Sequence, residues 1–254
     1  MGIDIHEANR MRWEAGAKQW AKRADSRGLW QRCPEEPELV LSERELAYLS
    51  DIKGRKIAVL GSGDNQIAFA LAGLGAHVTS VDISQAQLEV ARERAQKLGL
   101  EIDFMRADVT ALNEIRDGSF YLVYTGGHVA VWVSDITRYY SEAARILQLG
   151  GLFVISEYHP FRRVWKGSND SLEVEHSYFQ RGPFEYDASA DILEPKTGTL
   201  KSYEFHWTFS DYINAVIRSG CKIVEVAEFG EEVADWEGAP MTGLPEFLLI
   251  FAQK

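Results

Sequence analysis

Two glycines, two carboxylates and a histidine carry the chemistry legible first in this chain. Gly61 and Gly63 stand in Ile57-Ala-Val-Leu-Gly-Ser-Gly-Asp-Asn65, directly after a short apolar run. Lacking Cβ atoms, they let the backbone turn sharply and approach a ligand closely. Asp82 follows Gly61 by 21 residues and closes a second apolar run, His77-Val-Thr-Ser-Val-Asp82. A carboxylate there can accept hydrogen bonds from ribose hydroxyls, so the two features together point to an adenosine-containing cofactor. Asp108, in Phe104-Met-Arg-Ala-Asp-Val109, is placed to accept a hydrogen bond from an adenine amino group. His128 follows Gly126-Gly127, where it can act as a general base, orient a substrate or merely pack beside the cofactor. His159, after Glu157-Tyr158, is a second candidate for that role.

The elements that must position these residues alternate along the chain. Lys56–Leu60, His77–Val81, Glu101–Arg106, Ser119–Tyr124 and Leu152–Glu157 read as strands. Between them, 65–74, 84–98 and 134–147 read as helices, with Ser84 as an N-cap and Gly99 as a C-terminal stop. Gly150-Gly151 turns the chain into the fifth strand, and 208–219, 222–229 and 246–251 continue as helix, strand and strand. Strands and helices alternating at these lengths imply a parallel sheet covered on both faces. Before this core, 8–24 and 42–50 read as helices, with Trp13 and Trp20 seven residues apart on one face and Ser42 and Glu45 at capping-box spacing. The stretch 159–204 breaks the rhythm. It is rich in aromatic, charged, proline and glycine residues, including Phe161, Trp165, Tyr178, Phe179, Phe184 and Tyr186, and is expected to form a substrate cap. Arg162 and Arg163 within it can pair with an acidic substrate group, although adjacent arginines are more often surface charge.

The totals exclude several classes. At 254 residues with a net charge of −11 and no basic run, the chain is unsuited to a nucleic-acid backbone and suited to a small-molecule partner. Cys33 and Cys221 lie far apart without metal-ligand spacing, and no cluster of acids and histidines suggests a metal site. The polar amino terminus and the lack of a long apolar run leave no expectation of a signal or membrane span, and the cytoplasm is the expected location.

The run from Lys56 to Glu157 resembles the class I S-adenosylmethionine-dependent methyltransferases, and 205–254 is compatible with their closing strand pair. The resemblance implies an α/β three-layer sandwich with a seven-stranded, mostly parallel sheet in the order 3-2-1-4-5-7-6, strand seven antiparallel. The N-terminal segment 1–50 would then form a helical lid on a core of 51–254, with 159–204 inserted after strand five. S-adenosylmethionine is the implied cofactor. The resemblance assigns its methionine part to Gly61-Ser62-Gly63, its ribose to Asp82 with Ile83, and its adenine to Asp108 with Val109. Asn65 stands where the family commonly has a third glycine, and Thr125 and Gly126 end strand four at the same edge. The implied reaction is methyl transfer by in-line displacement to an oxygen, nitrogen or sulfur atom of a small acceptor, with His128 as the catalytic residue. Where the family usually has an acid two positions before the first glycine, this chain has Val59; Asp64 or the helical preface is expected to hold the cofactor's amino group instead. A nucleic-acid methyltransferase is disfavoured by the charge and by Thr125-Gly-Gly-His128, which replaces an Asn/Asp-Pro-Pro-aromatic motif. An NAD-dependent oxidoreductase is disfavoured by Gln66 at the sixth fingerprint position, and a non-catalytic cofactor binder is the remaining alternative.

Overall fold

The apolar runs pair into one seven-stranded sheet: β1 (Lys56–Leu60), β2 (His77–Asp82), β3 (Ile102–Arg106), β4 (Phe120–Gly126), β5 (Leu147–Tyr158), β6 (Lys222–Phe229) and β7 (Phe247–Gln253). Its order is β3-β2-β1-β4-β5-β7-β6, with β7 antiparallel to both neighbours, as the resemblance implied. The computed structural model describes residues 4–63, 65–168, 171–192, 199–230, 235–236, 239–240 and 242–254. Asp64, a candidate for the cofactor's amino group, therefore lies outside the described residues.

Helices α1 (Ile5–Asp25), α2 (Leu29–Arg32), α3 (Glu43–Tyr48), α4 (Gln66–Gly73), α5 (Gln85–Leu98), α6 (Ile136–Ile146) and α7 (Phe209–Arg218) cover the sheet. One face packs on α6 and α7 through Tyr139, Tyr140, Ala143, Tyr212 and Val216. The other packs on α2, α3 and α4 through Trp30, Leu49, Phe69 and Leu71. Central strands buried on both sides explain why β1 and β4 read as continuous apolar runs rather than alternating ones. The helix starts follow capping chemistry: Ser84 accepts from the Gln87 amide, and Ser42–Glu45 and Thr208–Asp211 form full capping boxes. Gly99 ends α5 in the left-handed region at φ +67°.

Chain order reverses between β1 and β4, so their carboxyl ends open a crevice where ligands settle in doubly wound sheets. The insertion after β5 is more regular than its composition suggests. It holds two hairpins, Trp165–Ser168 with Ser171–Val174 and Phe184–Asp187 with Lys201–Glu204. Strands of four residues are too short for a period of two to register in the sequence. Among the described residues no helix is long and apolar enough to cross a membrane.

The turn after β1 depends on Asn65, which adopts the left-handed conformation at φ +65° and is almost fully buried. Its side-chain nitrogen donates to the Gly63 carbonyl at 2.6 Å, and its oxygen accepts from the Ser80 hydroxyl at 2.6 Å. Asparagine tolerates this backbone better than other residues with a Cβ, which accounts for its presence at a position glycine otherwise serves. Asn65→Ala, losing both bonds at a strained position, should lower the unfolding free energy by ~2–4 kcal/mol, and Asn65→Gly by about half that. Urea denaturation midpoints of the two variants measure the difference.

Candidate active site

The glycine turn is held from beneath by β2. Gly61 and Ser62 donate their amides to the Val81 carbonyl at 2.8 and 3.2 Å, and the Ser62 and Ser80 hydroxyls bond at 2.7 Å. Gly61 is bare for a reason the sequence did not reveal: a Cβ there would lie 2.5 Å from the Val129 side chain. Gly63, at φ +48°, has open space on that side, which leaves its backbone accessible to close approach.

Asp82 closes the turn. Its carboxylate accepts from the Gly63 amide at 3.0 Å and the Ser84 amide at 2.8 Å. Burial raises its carboxyl pKa, against the opposing pull of the Ser84, Gly63 and Ile83 amides. Asp108 accepts from the Thr110 amide and hydroxyl at 2.8 and 2.7 Å through one oxygen, and from His6 Nδ1 at 2.6 Å through the other. Burial works against its ionisation, yet the His6 and Thr110 bonds outweigh it and hold the carboxyl below its ordinary value. A carboxylate offers about four lone-pair sites. Three are taken, leaving one on the His6-bound oxygen for a donor such as an adenine amino group.

His6 belongs to α1, which packs against α5 and the hairpin strand Lys201–Glu204. Its Nε2 accepts from the Ser134 amide at 3.0 Å, so the ring proton is on Nδ1, facing Asp108. Asn9 behaves as an extra strand residue. Its amide nitrogen donates to the Trp132 and Tyr203 carbonyls at 3.0 and 2.9 Å, while its oxygen accepts from the Tyr203 amide at 2.7 Å. Glu14 accepts from the Ser84 hydroxyl and the Ala86 amide at the start of α5, where a negative charge is favoured. Trp13 packs on Trp20 and Trp132 with ring centroids 4.6 and 5.2 Å apart, and the Arg12 guanidinium lies 4.2 Å over Trp132. Sequence spacing put Trp13 and Trp20 on one helical face; what that face covers is visible only in the fold.

At the end of β4, Gly126 and Gly127 lead to His128, whose φ of +84° is unusual for a residue with a Cβ. Glu157, at the end of β5, accepts from the His128 amide at 2.9 Å and the Ala130 amide at 3.2 Å. The Arg163 guanidinium lies 3.4 Å from His128 Nδ1. A guanidinium only donates, so Nδ1 presents its lone pair and the neutral ring carries its proton on Nε2. Nε2 itself is buried and has no hydrogen-bond partner. Burial, followed by the fields of Arg163, Arg162 and Arg12, pushes the His128 pKa well below the usual histidine range.

One cavity of about 680 Å³ connects these features. Gly61, Ser62, Gly63, Asp82, Ile83, Asp108, Val109, Gly126 and His128 line it, together with Val59 and with His6, Asn9, Trp13 and Trp20 of α1. Leu39, Val40, Ile67, Tyr158 and Phe247 add apolar wall, Tyr158 meeting His128 edge-on at 5.1 Å. Two expected cofactor contacts lie elsewhere. Asn65 braces the turn from behind, and Thr125 is turned into the core, bonded to the Tyr139 hydroxyl. Nor do the insertion's aromatics border the cavity, among the described residues. Phe161 packs on Trp165 and Tyr178, while Phe179 and Tyr186 are exposed. Arg162 and Arg163 are not surface charge: they pair with Glu246 at 3.2 Å and Glu204 at 3.1 Å. His159 turns toward Glu228, at 2.7 Å. Among the described residues no group of three or more potential metal ligands gathers.

The cradle fits S-adenosylmethionine. It has a bare glycine of open approach, a buried acid where the resemblance places the ribose, an acid with one lone pair spare where it places the adenine, and a cavity of about 680 Å³. His6→Ala should loosen the amino-terminal turns of α1, accelerating their amide hydrogen exchange about tenfold, the equivalent of one charge-assisted hydrogen bond. Exchange in β1 and β4, measured in the same experiment, should not change.

Comparison with known proteins agrees with this geometry. The methyltransferase domain family matches residues 59–155. The ubiquinone biosynthesis O-methyltransferase of Ruegeria sp. (strain TM1040) is 28% identical over 57% of this chain, which spans 58% of that enzyme, less than two thirds of its length. The uncharacterized methyltransferase YbaJ of Bacillus subtilis is 27% identical over 68% of each chain. The crystal structure of an S-adenosylmethionine dependent methyltransferase from Mesorhizobium loti superposes with a TM-score of 0.61 at 26% identity, covering 84% of this chain and 99% of that one. Residues 59–155 thus match a methyltransferase domain, and the strand order is that of the class I S-adenosylmethionine-dependent methyltransferases, which the chain resembles in fold.

Proposed function

We propose that this protein transfers a methyl group from S-adenosylmethionine to a small, largely apolar acceptor by in-line displacement. The observation that carries the reading is the single cavity joining the glycine–acid cradle to a wall of His128, Tyr158 and Phe247. The bound cofactor supplies a methyl group on a sulfonium, already activated for transfer. What remains for the protein is to align the acceptor and keep water out, effects that contribute ~7–11 kcal/mol in well-oriented reactions. Residues 1–50 act as the lid on the core of 51–254, with Trp13 and Trp20 closing over the cavity. Leu39, Val40, Ile67, Tyr158 and Phe247 offer an apolar wall to such an acceptor, while Arg27 also lines the cavity. Nucleic acid is a poor partner for a chain of net charge −11.

His128 touches the acceptor in this reading, but as a neutral orienting group rather than a strong base. Its depressed pKa makes it a poor proton acceptor, and its unpartnered Nε2–H suits an acceptor oxygen. Cys33 and Cys221 are both buried and neither forms a disulfide, which supports a reducing compartment such as the cytoplasm.

Calorimetric titration with S-adenosylmethionine, S-adenosylhomocysteine and NAD tests the cofactor, with binding of the first two and none of NAD expected. Asp82→Ala should weaken that binding by ~1.5–3 kcal/mol, the range for a hydrogen bond to a charged group; an unchanged dissociation constant in a folded variant would remove the ribose assignment. His128→Ala should reduce turnover on an acceptor found by screening roughly tenfold or more while leaving cofactor affinity unaltered, as expected when a hydrogen bond to the acceptor is lost. Because His128 is already neutral, it should contribute no inflection to the rate between pH 6.5 and 8.5.

A further inference from the structure

Glu157 is a buried carboxylate at the end of β5, 1% exposed. The amides of three consecutive residues, His128, Val129 and Ala130, converge on it. Such a concave run of N–H groups is a backbone nest for an anion, here filled by the protein's own side chain. The same three residues make the contacts that shape the site. His128 holds its left-handed backbone at φ +84°, a conformation that persists only where the surroundings enforce it. The Val129 side chain occupies the space left by the missing Cβ of Gly61, so this loop rests on the glycine turn. Gly127 donates to the Ser156 carbonyl at 2.9 Å and ties the loop to β5 one residue before Glu157.

We propose that Glu157 is a positioning residue for methyl transfer: its carboxylate, wrapped by the amides of residues 128–130, sets the left-handed turn that carries His128 to the acceptor and seats Val129 on the cofactor's glycine turn. This role rests on the reading of the site as a methyl-transfer centre. Only the anion accepts from all three amides without conflict, since a proton on either oxygen would face an N–H. Burial lifts the Glu157 carboxyl to about 7, despite the opposing amides and the field of Arg163. Glu204, paired with Arg163, is held below the ordinary carboxylate value and His206 below the ordinary histidine value. Tyr124, Tyr139, Tyr140 and Tyr212 are pushed well above the usual tyrosine range by burial and stay neutral, and His128 is pushed well below its own. The turn is therefore set above about pH 7 and loosens as Glu157 takes up a proton below it. The folded-state pKa is raised above the ordinary carboxylate value. Ionisation of Glu157 thus lowers fold stability as pH rises toward 7 and leaves it level above that, so the anion is held at the expense of the fold.

The test is an amide NMR titration of the full-length protein between pH 5.5 and 8.5, with Glu157→Gln and Glu157→Asp alongside. In the wild type, the His128, Val129 and Ala130 amides should shift together with one midpoint near 7; in Glu157→Gln they should not titrate. Turnover of the wild type should fall with the same midpoint on the acid side. Glu157→Gln should run at least tenfold slower than the wild-type plateau, with no acid limb and with cofactor affinity within twofold. Glu157→Asp, with the charge kept but withdrawn by one methylene, should retain an acid limb and recover part of the rate. Loop amides that ignore pH in the wild type overturn the nest. Wild-type turnover with an intact acid limb in Glu157→Gln overturns the positioning role. If no acceptor is methylated at all, the amide titration still decides for or against the nest, so failure of the functional reading is separable from failure of this one.

Discussion

Carboxylates buried at the carboxyl edge of the sheet, and satisfied largely by backbone amides, are what the rest of the site depends on. Asp82 gathers the amides of Gly63 and Ser84, and Glu157 those of residues 128–130. An unpaired buried charge is costly, so each acid dictates the conformation of the loop that solvates it. Those two loops are the cofactor turn and the turn bearing His128, and they meet where Val129 covers Gly61. The parallel sheet supplies the condition for this arrangement. Its central strands end side by side, so acids at the ends of β2 and β5 can reach across to loops after β1 and β4.

The amino-terminal helix adds a second layer to the same edge and is held by polar bonds more than by apolar packing. It reaches Asp108 through His6, the start of α5 through Glu14, the hairpin strand at Tyr203 through Asn9, and Arg94 through Asp25. Two of these contacts, at Asp108 and at the start of α5, engage groups beside the glycine–acid cradle. The helix is therefore joined by hydrogen bonds to the cavity's edge, one of them to Asp108, which lines the cavity. The aromatic insertion has a different part: its Arg162 and Arg163 pair with Glu246 and Glu204, and it presents the hairpin strand against which α1 packs.

Local chemistry made the core of this protein legible. The β1–α4–β2 unit, the caps at Ser42 and Ser84, the stop at Gly99 and the acids at 82 and 108 all follow from residue type and near-neighbour spacing. Propensity, capping and apolar periodicity act within a few residues, and the chain obeys them throughout its first five strands. Asn65 marks where that reasoning becomes incomplete: its position suggested a ligand contact, whereas its burial beneath the turn makes it a brace.

The sequence by itself determined the fold class, the glycine turn and the acids 82 and 108 near the strand ends, because each is encoded by short-range pattern. Only the tertiary structure decided what α1 covers, that the cap aromatics turn away from the cavity, that His128 is held neutral among arginines, and that Glu157 holds its turn. These outcomes depend on pairs such as His6 with Asp108, 102 residues apart, and Asn9 with Tyr203, 194 apart. Such pairs leave no periodic trace in the chain. The burial and fields that set a side chain's charge exist only once the chain has folded around it.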